Sequence, residues 1–332
     1  MIGEERGGYE VVCGPGQVWL AQLPGGERWS APLEKPAVGD WVWVERFEGL
    51  TLVRHRFERT SCLVRKGVGG RGGPQIVGAN LDKVFVVSSL NRDFNVRRLE
   101  RLLAAVWSSG AEPVVVLTKA DLCEDPHEAA RAVNAVQGVS REVPVEVVSA
   151  HHSLGRERLQ VHLGAGVTVG LVGSSGVGKS TLVNWLMGQE IMETSHVRQG
   201  DSKGRHTTTG RHLLVMPRGR GVLMDTPGMR EFGVWNAAEG VERVFGDIEV
   251  LAGQCRFRDC EHNGEPGCAV QAALDAGELS DQRLYSYQKL RREAAYQARR
   301  EDDNQLATHL ERKRRRRFAK MVRRKTKGSP KC

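Results

Sequence analysis

The first of three patterns along the chain consists of short, strand-like runs. From about Tyr9 to Arg65, apolar and polar positions alternate in short runs broken by Gly and Pro, and the apolar runs include Val18–Leu20 and Trp41–Val44. Short strands at close spacing, with turn residues between them, predict a small β-barrel or sandwich. The glycine-rich stretch Gly67–Gly73 then predicts a linker or loop.

The second pattern begins at Leu81, where apolar runs alternate with helical stretches such as Val96–Trp107 and His127–Val136. This alternation predicts a mostly parallel sheet with helices on both faces. Such sheets bind ligands beyond the carboxyl ends of their strands. The predicted strands are Val84–Ser88, Val114–Thr118, Val145–Ser149, Val167–Val172, Leu213–Met216 and Gly221–Asp225.

The third pattern follows Glu239, where no strand periodicity persists. A cysteine-rich segment comes first, then a helical stretch over Gln282–Arg300, and finally a basic tail. A chain of 332 residues is also too long for one small core. We therefore predict a multidomain protein divided into 1–70, 71–238, 239–310 and 311–332.

Charge is concentrated in the tail. Eleven Lys or Arg and no acid lie between Arg312 and Lys327, which exceeds the net charge of +9 for the whole chain. The chain has no run of eighteen apolar residues, and its first ten residues lack the features of a secretory signal. We therefore expect a cytoplasmic protein. The tail is not expected to bind a membrane surface, because Phe318, Met321 and Val322 make too small an apolar face.

A phosphate-binding loop is the strongest motif. It follows the apolar strand Val167–Val172 and opens a predicted helix, Thr181–Met187, which is the context a P-loop needs. Lys179 would reach the β- and γ-phosphates, and Ser180 would ligate Mg²⁺. The loop consists of Gly173, Ser174, Ser175, Gly176, Val177, Gly178, Lys179, Ser180 and Thr181.

Two further segments match loops that sense the γ-phosphate. Asp225 ends a predicted strand and would hold the Mg²⁺ shell, while the amide of Gly228 would bind the γ-phosphate. Thr207 and Thr208 lie in the polar stretch Gly204–Thr209, and a threonine there would coordinate Mg²⁺ until hydrolysis. Taken alone, the segment at Asp225–Gly228 is typical of an ordinary turn and the stretch Gly204–Thr209 of a solvated loop. The position of Asp225–Gly228 after an apolar strand favours the functional interpretation.

Guanine selection is predicted from two strand ends. Thr118, Lys119, Ala120 and Asp121 resemble the Asn-Lys-x-Asp guanine motif, in which the carboxylate accepts from the ring N1–H and the 2-amino group. Ser149 and Ala150 resemble the short loop whose backbone amide meets the guanine oxygen. Both precede the P-loop, whereas ordinary GTPases have them last. A compact domain with adjacent termini tolerates such rejoining, so we predict a circularly permuted GTPase.

Together these motifs resemble the RsgA/YjeQ family of circularly permuted GTPases. The resemblance covers nearly the whole chain and includes Val38–Trp41, Ala79–Asp82, Gly204–Thr209 and the cysteine cluster. It implies an N-terminal OB-fold, a central α/β permuted P-loop GTPase domain and a mostly helical C-terminal zinc domain. It also implies binding to the small ribosomal subunit and its rRNA during late maturation, with GTP hydrolysis driving release. The chain departs from the family at Thr118, where Asn is usual.

The residue after Gly228 is Met229, where many GTPases place a glutamine that orients water. The resemblance implies that His206 takes this catalytic role, and imidazole chemistry suits it. The alternative is that His206 contacts only RNA or solvent.

Four residues in the C-terminal segment have metal-ligand spacing. Three thiols and one imidazole suit a closed tetrahedral Zn²⁺ site, which would be structural and hold one ion per chain. The alternative is a loop with reduced, unligated cysteines. The four residues are Cys255, Cys260, His262 and Cys268.

RNA binding is predicted from the tail, whose charges would displace counterions from RNA. Trp41 and Trp43 have two interpretations, stacking on bases or packing in the core, and their alternation favours the core. We expect a monomer when free. Two rival functions remain open: a GTP-dependent RNA-modifying enzyme, and a non-enzymatic RNA-binding protein with a degenerate nucleotide pocket.

Overall fold

The computed structural model describes residues 1–5, 8–14, 16–25, 29, 31–67, 73–91, 94–192, 212–225, 235 and 237–300. The strands are β1 (Gly3–Glu5), β2 (Gly8–Gly14), β3 (Gln17–Gln22), β4 (Val42–Phe47), β5 (Leu50–Arg56), β6 (Cys62–Lys66), β7 (Pro74–Ala79), β8 (Lys83–Ser89), β9 (Glu112–Thr118), β10 (Val145–Val147), β11 (Thr168–Val172), β12 (His212–Val215) and β13 (Val222–Asp225). The helices are α1 (Val96–Ser108), α2 (Glu128–Val139), α3 (Arg156–Gln160), α4 (Lys179–Met187), α5 (Ala238–Val244), α6 (Gly246–Ala252), α7 (Ala269–Asp275) and α8 (281–300).

The centre of the protein is a parallel sheet in the order β10-β9-β8-β11-β13, with β12 antiparallel beside β13. Each strand predicted from an apolar run forms, and the mixed α/β prediction is confirmed. Alternate residues of β8 enter two separate cores: Val84 and Val86 pack with α1, whereas Phe85 and Val87 pack with α4. Helices therefore cover both faces, as continuous apolar strands require.

The N-terminal strands extend this sheet. β1 pairs antiparallel with β12 and with β2, and the order continues through β3, β5 and β4. Val11, Ala21, Trp29 and Val53 form a small core of their own. The described residues thus contain a small all-β unit at the N-terminus.

The interpretation of Trp41 and Trp43 as core residues is wrong, since their exposed fractions are 75% and 63%. Val42 and Val44 of β4 face the small core instead. Because side chains of a strand alternate between its two faces, inward valines place Trp43 outside.

The hairpin of β6 and β7 is a separate two-stranded sheet that links the all-β unit to the α/β sheet. Asn80, just after β7, donates from Nδ2 to the Gly39 carbonyl at 2.9 Å and accepts from the Thr60 amide at 2.9 Å. Gly39 has a φ of 96°, and a Cβ there would lie 2.0 Å from the Ala79 carbonyl oxygen. Only glycine fits this junction.

The C-terminal segment is helical among its described residues. α5 packs on α1, and α8 places Tyr287 against Phe245 with ring centroids 5.6 Å apart. Phe245 and Tyr287 belong to the same core as the α1 face of the sheet. None of the helices in the described ranges is both long and apolar enough to span a membrane.

Candidate nucleotide site and metal centre

The phosphate loop lies where the sequence places it, between β11 and α4. Gly173, Gly176 and Gly178 all have positive φ values, of 153°, 81° and 96°. A Cβ at Gly173 would lie only 2.3 Å from the Val87 carbonyl oxygen of the neighbouring strand. Glycine is thus required for the loop to pass the end of β8 and turn into the helix.

Lys179 is the first residue of α4, and its ammonium group folds back over the loop. Nζ donates to the carbonyl oxygens of Gly173 at 2.8 Å and Ser174 at 2.7 Å. Burial lowers the pKa of Lys179, and the negative charge of Asp225 acts in the opposite direction. Asp225 is buried at the end of β13, next to β11. The charged Lys179 is therefore partly desolvated at the loop, and a bound anion would stabilise its positive charge.

The guanine-motif residues contact the phosphate loop directly. Lys119 donates from Nζ to the Gly176 carbonyl at 2.7 Å. Thr118 donates from its hydroxyl to the Val177 carbonyl at 2.6 Å, across 59 positions of sequence. Two motifs that are distant in sequence thus form one site.

Asp121 and Ser149 meet as well. The Ser149 hydroxyl donates to Asp121 Oδ1 at 2.5 Å. This hydrogen bond is the main reason that the pKa of Asp121 is lowered, and the nearby His151 and His152 act in the same direction. Asp121 therefore keeps a negative charge at neutral pH, as an acceptor for two N–H donors requires. Ala120 lies in the short turn Ala120–Leu122, and Ala150 directly follows the buried Ser149.

Some predicted residues lie outside the described residues. They are the catalytic candidate His206, the γ-phosphate residues Thr207, Thr208 and Gly228, and the tail 311–332.

Arg98 is a contact residue that the sequence analysis missed. It lies in the first turn of α1 and donates from Nη1 to the Ser174 hydroxyl at 2.7 Å. The available signal was a basic residue in the first turn of the helix that follows β8. The carboxyl end of β8 faces the phosphate loop.

The cysteine cluster forms a compact group. The ligand atoms of Cys255, Cys260, His262 and Cys268 all lie within 4.8 Å of one another. His262 Nδ1 is 3.7 Å from Cys255 Sγ and 3.5 Å from Cys268 Sγ, and the two sulfurs are 3.9 Å apart. Tetrahedral zinc with bonds of about 2.3 Å to sulfur separates its thiolates by about 3.8 Å. The four side chains therefore form a candidate metal centre of the right size.

Backbone geometry supports the cluster. Glu265 accepts from the amides of Glu261 at 2.9 Å and Asn263 at 2.6 Å, which closes the loop around His262. Cys268 caps α7 and accepts from the Gln271 amide at 3.4 Å. An amide donor to a sulfur stabilises negative charge on it.

Comparison with known proteins agrees with this geometry. A family model described as RsgA GTPase matches residues 56–235. The chain belongs to the RsgA GTPase family. It is therefore a GTP hydrolase with a circularly permuted domain, as the order of the motifs predicted.

RsgA relatives cover most of the chain. RsgA 2 of Lactiplantibacillus plantarum, named a small ribosomal subunit biogenesis GTPase, is 46% identical over 90% of this chain and 83% of its own length. RsgA of Methanosarcina acetivorans, which has the same description, is 43% identical over 87% and 78%.

Two solved structures are similar to this chain over most of its length. YjeQ from Thermotoga maritima aligns with a TM-score of 0.59 and 26% identity over 84% of this chain and 91% of its own. YloQ, described as a circularly permuted GTPase, aligns with a TM-score of 0.58 and 25% identity over 89% and 93%.

Proposed function

We propose that this GTPase acts in biogenesis of the small ribosomal subunit: it binds the immature subunit and its rRNA with GTP and leaves after hydrolysis. The names of the curated relatives support the target. The observation that carries the nucleotide part is the pair of hydrogen bonds from Thr118 and Lys119 to the phosphate loop. They join base selection and phosphate binding in one pocket.

Each part of the nucleotide has a proposed partner. Asp121 accepts from the guanine N1–H and 2-amino group, and Lys179 binds the β- and γ-phosphates. Mg²⁺ is held by Ser180 and Asp225. The proposed GTP-binding residues are Thr118, Lys119, Ala120, Asp121, Ser149, Ala150, Gly173, Ser174, Ser175, Gly176, Val177, Gly178, Lys179, Ser180, Thr181, Thr207, Thr208, Asp225 and Gly228.

Hydrolysis transfers the γ-phosphoryl group to water. The water oxygen bonds to the γ-phosphorus while the bond to the β–γ bridging oxygen breaks, giving GDP and inorganic phosphate. We assign the orientation of this water to His206, because the residue after Gly228 is Met229. Mg²⁺ supplies neutralisation of the phosphate charge.

We propose that Cys255, Cys260, His262 and Cys268 hold one structural zinc ion. The sulfur and nitrogen separations support this metal, and four protein ligands leave no position for substrate. The zinc domain is proposed to span 239–310.

The remaining segments are proposed to bind rRNA. We assign residues 1–70 to an OB-fold, 71–238 to the GTPase domain and 311–332 to a basic tail. Exposed aromatic residues on the all-β unit support a surface for base stacking, and they include Trp41, Trp43 and Phe57. The ring centroids of Phe57 and His55 are 5.2 Å apart. We propose a cytoplasmic location and a monomeric free protein.

GTP turnover with and without purified small subunits tests this function. We expect slow intrinsic turnover and a clear increase on the subunit, both lost in Lys179→Ala. His206→Ala should lose the increase, while the exposed His127→Ala serves as its control. Absence of turnover in both conditions would favour a non-enzymatic RNA-binding protein, and subunit-bound turnover that leaves a covalently altered rRNA would favour a modifying enzyme.

A further inference from the structure

The hydroxyl of Thr118 has one proton to donate, and the nearby acceptors are backbone carbonyl oxygens. Oγ1 lies 2.6 Å from the Val177 carbonyl oxygen and 3.4 Å from that of Ser88. Both neighbours are acceptors, and a hydroxyl has a single O–H donor. The residue is only 5% exposed. Its donor is therefore committed to the protein backbone.

Guanine presents its polar groups in a fixed order around its edge. The 2-amino group and N1–H are donors, and O6 and then N7 are acceptors. The first two match Asp121, and O6 matches the loop at Ser149 and Ala150. N7 belongs to the ring that carries the ribose, so it faces the phosphate side of the pocket. Thr118 and Lys119 are guanine-motif side chains that extend to that side, since they contact Val177 and Gly176 of the phosphate loop. The stem of Lys119 would cover the face of the base, which leaves Thr118 as the side chain at the N7 edge.

N7 can be recognised only by a donor. An asparagine amide has two N–H donors, so it could satisfy the Val177 carbonyl and still donate to N7. The threonine hydroxyl cannot satisfy both. If it turned to N7, the carbonyl of Val177, a residue buried to 2% exposure, would lose this partner. A buried acceptor without a donor costs more than one ligand hydrogen bond contributes.

We propose that Thr118 ties the guanine loop to the phosphate loop and leaves N7 unrecognised. Base selection then rests on the N1, N2 and O6 edge alone. The pocket consequently accepts guanine nucleotides altered at N7, the class represented by 7-deazaguanine nucleotides, as well as it accepts the natural ones. This inference rests on the proposed guanine pocket and defines its selectivity.

Competition binding with GDP, 7-deaza-GDP and ADP tests the proposal. In the native protein we expect GDP and 7-deaza-GDP to bind with affinities in a ratio near one, and ADP to bind much more weakly. In Thr118→Asn the ratio should rise by about two- to tenfold in favour of GDP, the effect of one gained hydrogen bond. The full-length chain is used throughout.

Thr118→Val is the matched control, because it keeps the shape and removes the hydroxyl. Both guanine nucleotides should weaken together, and their ratio should stay near one. A native protein that prefers GDP over 7-deaza-GDP several-fold would overturn the proposal, and so would an unchanged ratio in Thr118→Asn. Equal binding of GDP and ADP would instead contradict the guanine pocket itself.

Discussion

At the residue scale, two lysines donate to the phosphate loop and have different roles. Lys119 is bonded to the Gly176 carbonyl and fixes the guanine motif beside the loop. Lys179 is bonded to the Gly173 and Ser174 carbonyls, and burial lowers its pKa. A phosphate would replace these neutral acceptors with charged ones, which favours the protonated lysine. The first lysine therefore joins the two motifs, and we propose that the second binds the phosphates of the nucleotide.

Asp121→Asn should exchange guanine for xanthine selectivity. The carboxylate accepts hydrogen bonds from two N–H groups of guanine. The Asn amide has a carbonyl that accepts from N1–H and an NH₂ group that donates to the 2-oxygen of xanthine. GDP affinity should fall by at least about tenfold, because hydrogen bonds to a charged group are lost. Competition with GDP and XDP measures this. Unchanged GDP preference would remove Asp121 from the base site.

Arg98→Ala should weaken nucleotide binding by about two- to tenfold, because the hydrogen bond to Ser174 no longer fixes the phosphate loop. Arg97→Ala is the matched control, since that side chain is exposed and lies over Tyr285 instead. Titration with labelled GDP compares the two variants. Equal affinities for both would show that Arg98 does not support the loop.

At the element scale, α1 joins the nucleotide site to the C-terminal helices. Its first turn contacts Ser174, and one face of it binds α8 through Glu100 with Arg283 and Arg101 with Glu293. Arg283 Nη1 lies 2.8 Å from the buried Glu100, and Nη2 donates to the Val244 and Val139 carbonyls. Burial nevertheless raises the pKa of Glu100, with Arg283 opposing the shift. A guanidinium with this many partners fixes the docking of α8.

Arg283→Ala should lower the free energy of unfolding by roughly 3 kcal/mol, because it leaves Glu100 buried without its cation. Arg292→Ala, exposed on the same helix, is the control. Urea unfolding of both variants provides the measurement. A stability equal to that of the control would contradict the role given to this ion pair.

Cys260→Ser should release the metal and unfold the loop around His262, because one of four ligands is lost. Cys123→Ser is the control, since Cys123 lies outside the cluster. Elemental analysis should find about one zinc per control chain and almost none in the variant. Stoichiometric zinc in Cys260→Ser would exclude this ligand set.

The sequence predicted those elements whose signal is local. Buried parallel strands such as β8 and β9 are continuous apolar runs, and the phosphate loop has a fixed spacing between strand and helix. β1 has the sequence GEE and becomes a strand only through its partners β2 and β12. The contact of Arg98 with Ser174 likewise depends on tertiary packing. The exposure of Trp43 depends on which residues of β4 face the core.

At the scale of the whole molecule, the parallel sheet brings the guanine motif and the phosphate loop to one edge, although the order of these motifs in the sequence is permuted. The carboxyl ends of β8, β9 and β11 lie side by side there, because these strands are parallel neighbours. The all-β unit joins this sheet through β1 and β12. The candidate metal centre is linked to it through α8 and α1. Both flanking units thus connect to elements that border the nucleotide site.

Co-sedimentation with small ribosomal subunits tests the link between nucleotide and attachment most directly. The protein is mixed with purified subunits in a non-hydrolysable GTP analogue or in GDP, and the bound fraction is measured after centrifugation. We predict that the analogue retains the protein on the subunit and that GDP releases it. Equal binding in the two nucleotides would contradict the account.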